Sequence, residues 1–133
     1  MEPVEEELAR WAVATCLSCL RAADASHCRP AVGPWITAGD ELLAAATVYA
    51  ESIVRPLQQG TDATVDEFFD AAGISIVSIG RAVARRAAAL RAEHQSLRLP
   101  DAMSLATAIV TDSALLTLHK QLRRIARRVQ PSL

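Results

Sequence analysis

Three observations predict an α/β fold built in three layers around a mostly parallel sheet flanked by helices. Helix-like and strand-like stretches alternate from Leu42 to Leu118, and such alternation is how βα units build a covered parallel sheet. Ile74-Ser75-Ile76-Val77-Ser78-Ile79 is compact and β-branched, the clearest strand in the chain. Ala114 to Leu118 is short, apolar and preceded by a helix, which fits a strand buried on both faces.

Taken in order, Glu5 to Ala25 admits two readings. Leu8, Trp11, Ala12, Thr15, Cys16, Cys19 and Leu20 fall at helical spacing, while Trp11 to Leu20 also reads as a short buried strand running into a helix. Periodicity leaves both open. Pro30, Gly33, Pro34 and Gly39 keep any helix in that stretch short or interrupted. Asp40-Glu41 leads into a second strand, Leu42 to Ala46. A helix follows, N-capped by Thr47 and ended near Arg55, because Pro56 disfavours helical backbone in the residue before it.

Gln59-Gly60-Thr61-Asp62 is a turn. Thr64 or Asp62 then caps a helix bearing Val65, Phe68, Phe69 and Ala72, which Gly73 terminates. Beyond the Ile74 to Ile79 strand, Arg81 to Glu93 is a helix with Ala82, Val83, Ala87 and Leu90 toward the core. Proline tolerates the first helical position, where its missing N–H would be unpaired anyway, so Pro100 fixes the next helix start. Asp101 falls in the first turn, where the helix dipole favours negative charge. Ala102, Leu105, Ala108 and Ile109 share one face, and Thr111, Asp112 and Ser113 stop the helix after about three turns.

The 133 residues make one domain by size, large enough to bury most of its apolar surface. Hydrophobic residues are 51% of the chain, too many for a disordered chain, and no apolar run is long enough to span a membrane. The start, Met1-Glu2-Pro3-Val4-Glu5-Glu6-Glu7, is acidic where a secretory signal needs basic residues. A cytoplasmic protein without membrane contact is expected.

A net charge of −1 hides an asymmetry. Residues 1–70 hold 12 acids and 4 bases, a balance of −8, whereas residues 71–133 hold 3 acids and 10 bases, a balance of +7. A basic half attracts phosphate backbones. It can equally be solvated helix faces that pair with acids of the first half.

Leu97-Arg98-Leu99-Pro100-Asp101-Ala102, an apolar helix containing Ala106-Thr107-Ala108, and then Leu115-Leu116-Thr117-Leu118-His119-Lys120 together resemble the C-terminal half of PIN-domain nucleases, specifically the VapC toxins. Thr47-Val48-Tyr49-Ala50-Glu51-Ser52-Ile53-Val54-Arg55-Pro56-Leu57 is similar to that family's second strand and following helix, where the glutamate is catalytic. The two matches come in the family's order and cover roughly residues 40–120. The resemblance implies a single PIN-like domain over residues 1–133, with 40–120 well matched and 1–39 poorly matched.

It also implies Mg²⁺-dependent phosphodiester cleavage, with Mn²⁺ as the alternative ion. Converging carboxylates bind such a cation through oxygen, and the cation activates water and offsets charge on the phosphate. By resemblance, Glu51 and Asp101 are two catalytic and metal-holding members of a four-acid set. The family's first aspartate should fall near Ala12 to Ala14, and no acid stands there. Its last acid is replaced by His119, a poor Mg²⁺ ligand, which leaves His119 and Lys120 as a substitute or as RNA contacts. On residue chemistry alone, Asp101 is also an ordinary first-turn charge and Glu51 an ordinary exposed helical residue.

Cys16, Cys19, Cys28 and His27 offer a zinc-like ligand set. The first pair lies in an apolar stretch without turn residues, so buried free thiols are the reading adopted. All three cysteines and both tryptophans lie between residues 11 and 35, where the family's first aspartate is missing. A shifted reading frame, a misplaced start or decay of the gene would each produce such a localised loss.

The expected function is therefore that of the toxin of a type II toxin–antitoxin system, an endoribonuclease acting on cellular RNA, neutralised by a VapB-type antitoxin and homodimeric. The alternative is an inactive PIN-fold remnant that binds an antitoxin or dimerises but cuts nothing. A helical DNA-binding regulator lacks a helix-turn-helix pattern here and conflicts with the Ile74 to Ile79 strand.

Overall fold

The computed structural model describes residues 10–13, 41–117 and 119–130. Among these residues four strands, β1 (Arg10–Val13), β2 (Glu41–Ala45), β3 (Ile74–Val77) and β4 (Ala114–Leu116), form one sheet in the order β3-β2-β1-β4. Every pairing is parallel. Trp11 is opposite Leu42 on one side and Ala114 on the other. The strand reading of the first segment holds for Arg10–Val13, which form a central strand.

The helices are α1 (Ala46–Gln59), α2 (Asp62–Ala71), α3 (Arg81–Glu93), α4 (Leu99–Val110) and α5 (Lys120–Val129). Passing from β2 to β3 the chain steps outward by one strand, and from β3 to β4 it returns across the whole sheet. Right-handed crossovers in opposite directions put α1 and α2 on one face and α3 and α4 on the other. The apolar packing agrees. Ala44, Ala45, Val48, Val65 and Phe69 form one cluster, while α3, α4 and α5 share another around Leu90, Leu105 and Leu122.

Several ends differ from the expectations. α1 starts at Ala46 with Ala45 as its cap residue, so Thr47 lies inside the helix. It also runs through Pro56 to Gln59, because Val48, Ser52 and Pro56, spaced four apart, are its buried stripe. Packing of that stripe outweighs the lost N–H of proline. The helix closes at Gly60, left-handed at φ 74°, with Thr61 N–H donating to Pro56 O at 2.8 Å. Thr61, without a side-chain bond, is the cap residue of α2.

α3 spans the predicted residues, but Ala82 is exposed while Val83, Ala87 and Leu90 are buried. Pro100 is the second residue of α4, one later than expected, and Asp101 remains in the first turn. β3 ends at Val77. β4 is three residues long and half-buried, shorter and more open than the strand expected to run to Leu118, since it is the outermost strand among the described residues. The three cysteines and His27 lie outside the described residues.

Tyr49 fastens α1 to α2. Its hydroxyl donates to Asp66 at 2.5 Å and its ring meets Phe69 edge-on at 5.4 Å. That hydrogen bond, then burial, then the carboxylates of Asp66, Asp62 and Asp70 raise its pKa above the ordinary 10.0. A raised folded value means the contact's stabilisation is intact below the unfolded pKa and is lost as pH rises through the folded one. This is the only tyrosine, so ultraviolet titration of tyrosinate should show one midpoint above 10.0, moving down in Asp66→Asn. A midpoint unchanged by the substitution would show that the contact is absent in solution.

Asp112 closes α4 in the left-handed region at φ 53°, with Ser113 N–H donating to Ala108 O at 2.8 Å and Asp112 N–H to Ile109 O at 3.2 Å. A side chain is strained there, and its negative charge sits at the negative end of the helix dipole. Asp112→Gly should gain about 0.5–1 kcal/mol, net of the entropy glycine adds to the unfolded chain. Thermal denaturation should register that as a rise of about 2–4 °C; a fall would show that the carboxylate makes a contact outweighing its strain.

Candidate active site

In an open parallel sheet, ligands bind beyond the carboxyl ends of the strands, where the strand order reverses direction. α1 begins at that edge because it continues β2 without a break. α4 runs back against the strands, since only residues 111–113 separate it from β4, against which it packs. Its first turn therefore lies at the same edge. Asp101 is in that turn, and Glu51 lies in the second turn of α1.

Both carboxylates are half-buried, and neither has a hydrogen-bond or ion-pair partner among the described residues. Although they lie on opposite faces of the sheet, α1 and α4 come into contact. Thr47 precedes Glu51 by four residues, which puts both on one helix face. The Thr47 Oγ1 is buried and has no hydrogen-bond partner among the described residues. Leaving a buried hydroxyl unmatched costs about 1–3 kcal/mol, so this atom is a ready contact for a bound group.

His119 and Lys120 are exposed at the start of α5. The His119 N–H donates to Thr117 Oγ1 at 3.1 Å, and Arg123 Nη2 donates to Thr117 O at 2.8 Å, so the residue after β4 is held by α5. At the other end of β4, Gln130 Nε2 donates to Ser113 O at 3.0 Å. Sequence reasoning did not assign α5, although Leu122, Ile125, Ala126 and Val129 recur at helical spacing.

Among the described residues, no group of three or more His, Cys, Asp and Glu side chains could hold a metal ion. Two carboxylates nonetheless suit a hard cation. Mg²⁺ is commonly held by one or two carboxylates and keeps water or substrate phosphate as its other ligands. Glu51, Asp101 and the unmatched Thr47 hydroxyl fit that pattern in donor type.

An open parallel α/β sheet thus carries acids on two helices that start at its carboxyl edge. The family model for the PIN domain matches residues 29–128. The chain belongs to the PIN domain family, whose members are generally nucleases that use divalent metals. It is similar to a solved structure described as a toxin–antitoxin complex from Klebsiella pneumoniae, with a TM-score of 0.59 and 22% identity over 80% of this chain and 82% of that one. At that identity the likeness is one of fold. No curated protein sequence matches the chain.

Proposed function

We propose that the protein is the toxin of a type II toxin–antitoxin pair, a VapC-like Mg²⁺-dependent endoribonuclease held inactive by a VapB-type antitoxin. The observation that carries this reading is the pair of acids without partners among the described residues, Glu51 and Asp101, on helices that start at one edge of a PIN-family sheet. Membership of the family supports nuclease chemistry, and the fold shared with a toxin–antitoxin complex supports the pairing with an antitoxin.

Glu51 and Asp101 would hold Mg²⁺ or Mn²⁺, which supplies activation of water and neutralisation of phosphate charge. Asp101 stands in the first turn of α4, where the helix dipole favours a negative side chain. Thr47 Oγ1 donates to a phosphate or water oxygen, and Lys120 contacts the RNA backbone, with His119 beside it. Val54 and Leu57, 54% and 58% exposed on α1, give a protein partner or a second copy an apolar foothold next to the site helix. We place the protein in the cytoplasm, where its RNA is; among the described residues no helix is long and apolar enough to cross a membrane.

One observation favours a second reading, an inactive module that only binds antitoxin or dimerises. β1 ends at Val13, and the sequence holds no Asp or Glu from Leu8 to Ala23, so the carboxylate the resemblance expects at that strand end is missing. Cleavage of a structured RNA by the purified chain in Mg²⁺, Mn²⁺ or EDTA, beside Asp101→Asn, separates the two. Metal-dependent cutting that disappears in the variant is expected. A folded chain that cuts under none of these conditions would move the function to partner binding.

A further inference from the structure

We propose that the exposed stripe Lys120, Arg124, Arg127 and Arg128 on α5 is a track for the phosphodiester backbone of single-stranded RNA, leading away from the candidate site. The inference rests on the nuclease reading for what lies at the track's head. Its own support is the placement and charge of α5.

Leu122, Ile125 and Ala126 are the buried face of α5, and all five of its cations are exposed. Lys120, Arg124, Arg127 and Arg128 stand at i, i+4, i+7 and i+8, along one side. None of the four pairs with a carboxylate among the described residues. The first turn holds no acid and begins with Lys120, a charge the helix dipole disfavours, whereas Arg127 and Arg128 in the last turn complement the dipole, so the crowding of the cations along one side is what remains uncompensated. Such a helix repels itself, and a polyanion laid along it removes the repulsion.

Three hydrogen bonds fix where the stripe runs. Arg123 holds Thr117 O, just past the carboxyl end of β4, and Gln130 holds Ser113 O, just before its start. α5 therefore runs back along β4, from the carboxyl edge of the sheet to the opposite one. At its head, Gln121 Nε2 donates to Ser96 Oγ at 3.0 Å. Ser96 lies in the connection into α4, two residues before Arg98 and five before Asp101. The stripe thus begins beside the candidate site and adds Arg98 to its head.

From Lys120 to Arg128 the helix rises about 12 Å, the length of three to four stacked nucleotides at about 3.4 Å each. Nine of the ten cations in residues 71–133 are arginine, whose planar fork matches phosphate oxygens bidentately. Continuity with a phosphodiester-cleaving site makes RNA, rather than an acidic protein, the occupant.

The test measures binding of a fluorescent 12-nucleotide RNA across a salt series, using the full chain with Glu51→Gln and Asp101→Asn so that cleavage cannot interfere. Adding Arg124→Gln, Arg127→Gln and Arg128→Gln should weaken binding about 50-fold at 0.15 M salt and reduce the slope of log affinity against log salt by about 2. Circular dichroism confirms folding, since glutamine suits a helix. Neutralising Arg81, Arg85 and Arg86 on α3 instead should cost several-fold less. Equal losses from the two triples would show diffuse attraction and overturn the track, as would a poly-glutamate of matched charge competing as well as RNA. If the parent chain proves unable to cut RNA while the α5 triple still loses binding, the nuclease reading fails and the track stands. The reverse pattern, cutting with no α5 effect, sinks the track alone.

Discussion

Asp101→Asn and Glu51→Gln should each lower metal-dependent RNA cleavage by at least about 100-fold while leaving the chain folded. Each exchange keeps the shape of the side chain and removes one anionic oxygen ligand, and losing a single preorganised electrostatic contact already costs about 10²–10³ in rate. On the proposed reading the two acids would serve one cation, so the double variant should be little slower than the worse single one. Folding is spared because neither carboxylate is tied into the described structure. The cost to α4 is limited to the favourable placement of Asp101 against the dipole, about 0.3–1 kcal/mol. Single-turnover cleavage with circular dichroism checks both points. Two variants that cut at the parental rate would remove Glu51 and Asp101 from the chemistry.

Leu105→Ala should produce the largest loss of stability. Leu105 is 0% exposed, in the middle of α4, within the cluster that joins α3, α4 and α5. Truncating a buried leucine leaves a cavity and costs about 2.7–5 kcal/mol, a large share of the roughly 5–15 kcal/mol that holds a domain folded. For a chain of this size, denaturation should shift down by about 10–18 °C. Leu99→Ala, on the same helix but at a residue 46% exposed, should move it by less than about 2 °C. Equal shifts in the two variants would show that α4 does not carry the core.

Elements whose burial follows from local pattern were legible in the sequence. α3 matches its predicted span, β2 begins and ends within a residue of expectation, and Asp101 sits in the first turn of its helix. Glycine stops at Gly60 and Gly73 also hold, both left-handed. What escaped depends on contacts between distant segments. Pro56 stays helical because it completes a buried stripe with Val48 and Ser52, which the local rule for proline does not contain. α5 was masked by its own charge, since five cations hid four apolar residues at helical spacing. Arg10–Val13 could be settled only by its neighbours, as a four-residue strand shows no period of its own. For the site, the residue types of Glu51 and Asp101 were readable, but the unmatched hydroxyl of Thr47 was not, because sequence assigned it to capping.

The central position of β1 also sets a timetable. Its register joins Trp11 to Ala114, residues 103 apart in the chain (114 − 11). A ribosome adding about 5–20 residues per second makes Ala114 about 5–20 s after Trp11 itself. Throughout that interval one side of β1 has its backbone groups without their final strand, and pairing so distant in sequence is slow to form once it can. The nascent chain is thus open to proteases and to mispairing with other strands until Ala114–Leu116 are made, so its abundance in a cell depends on the speed of synthesis as well as on the finished fold.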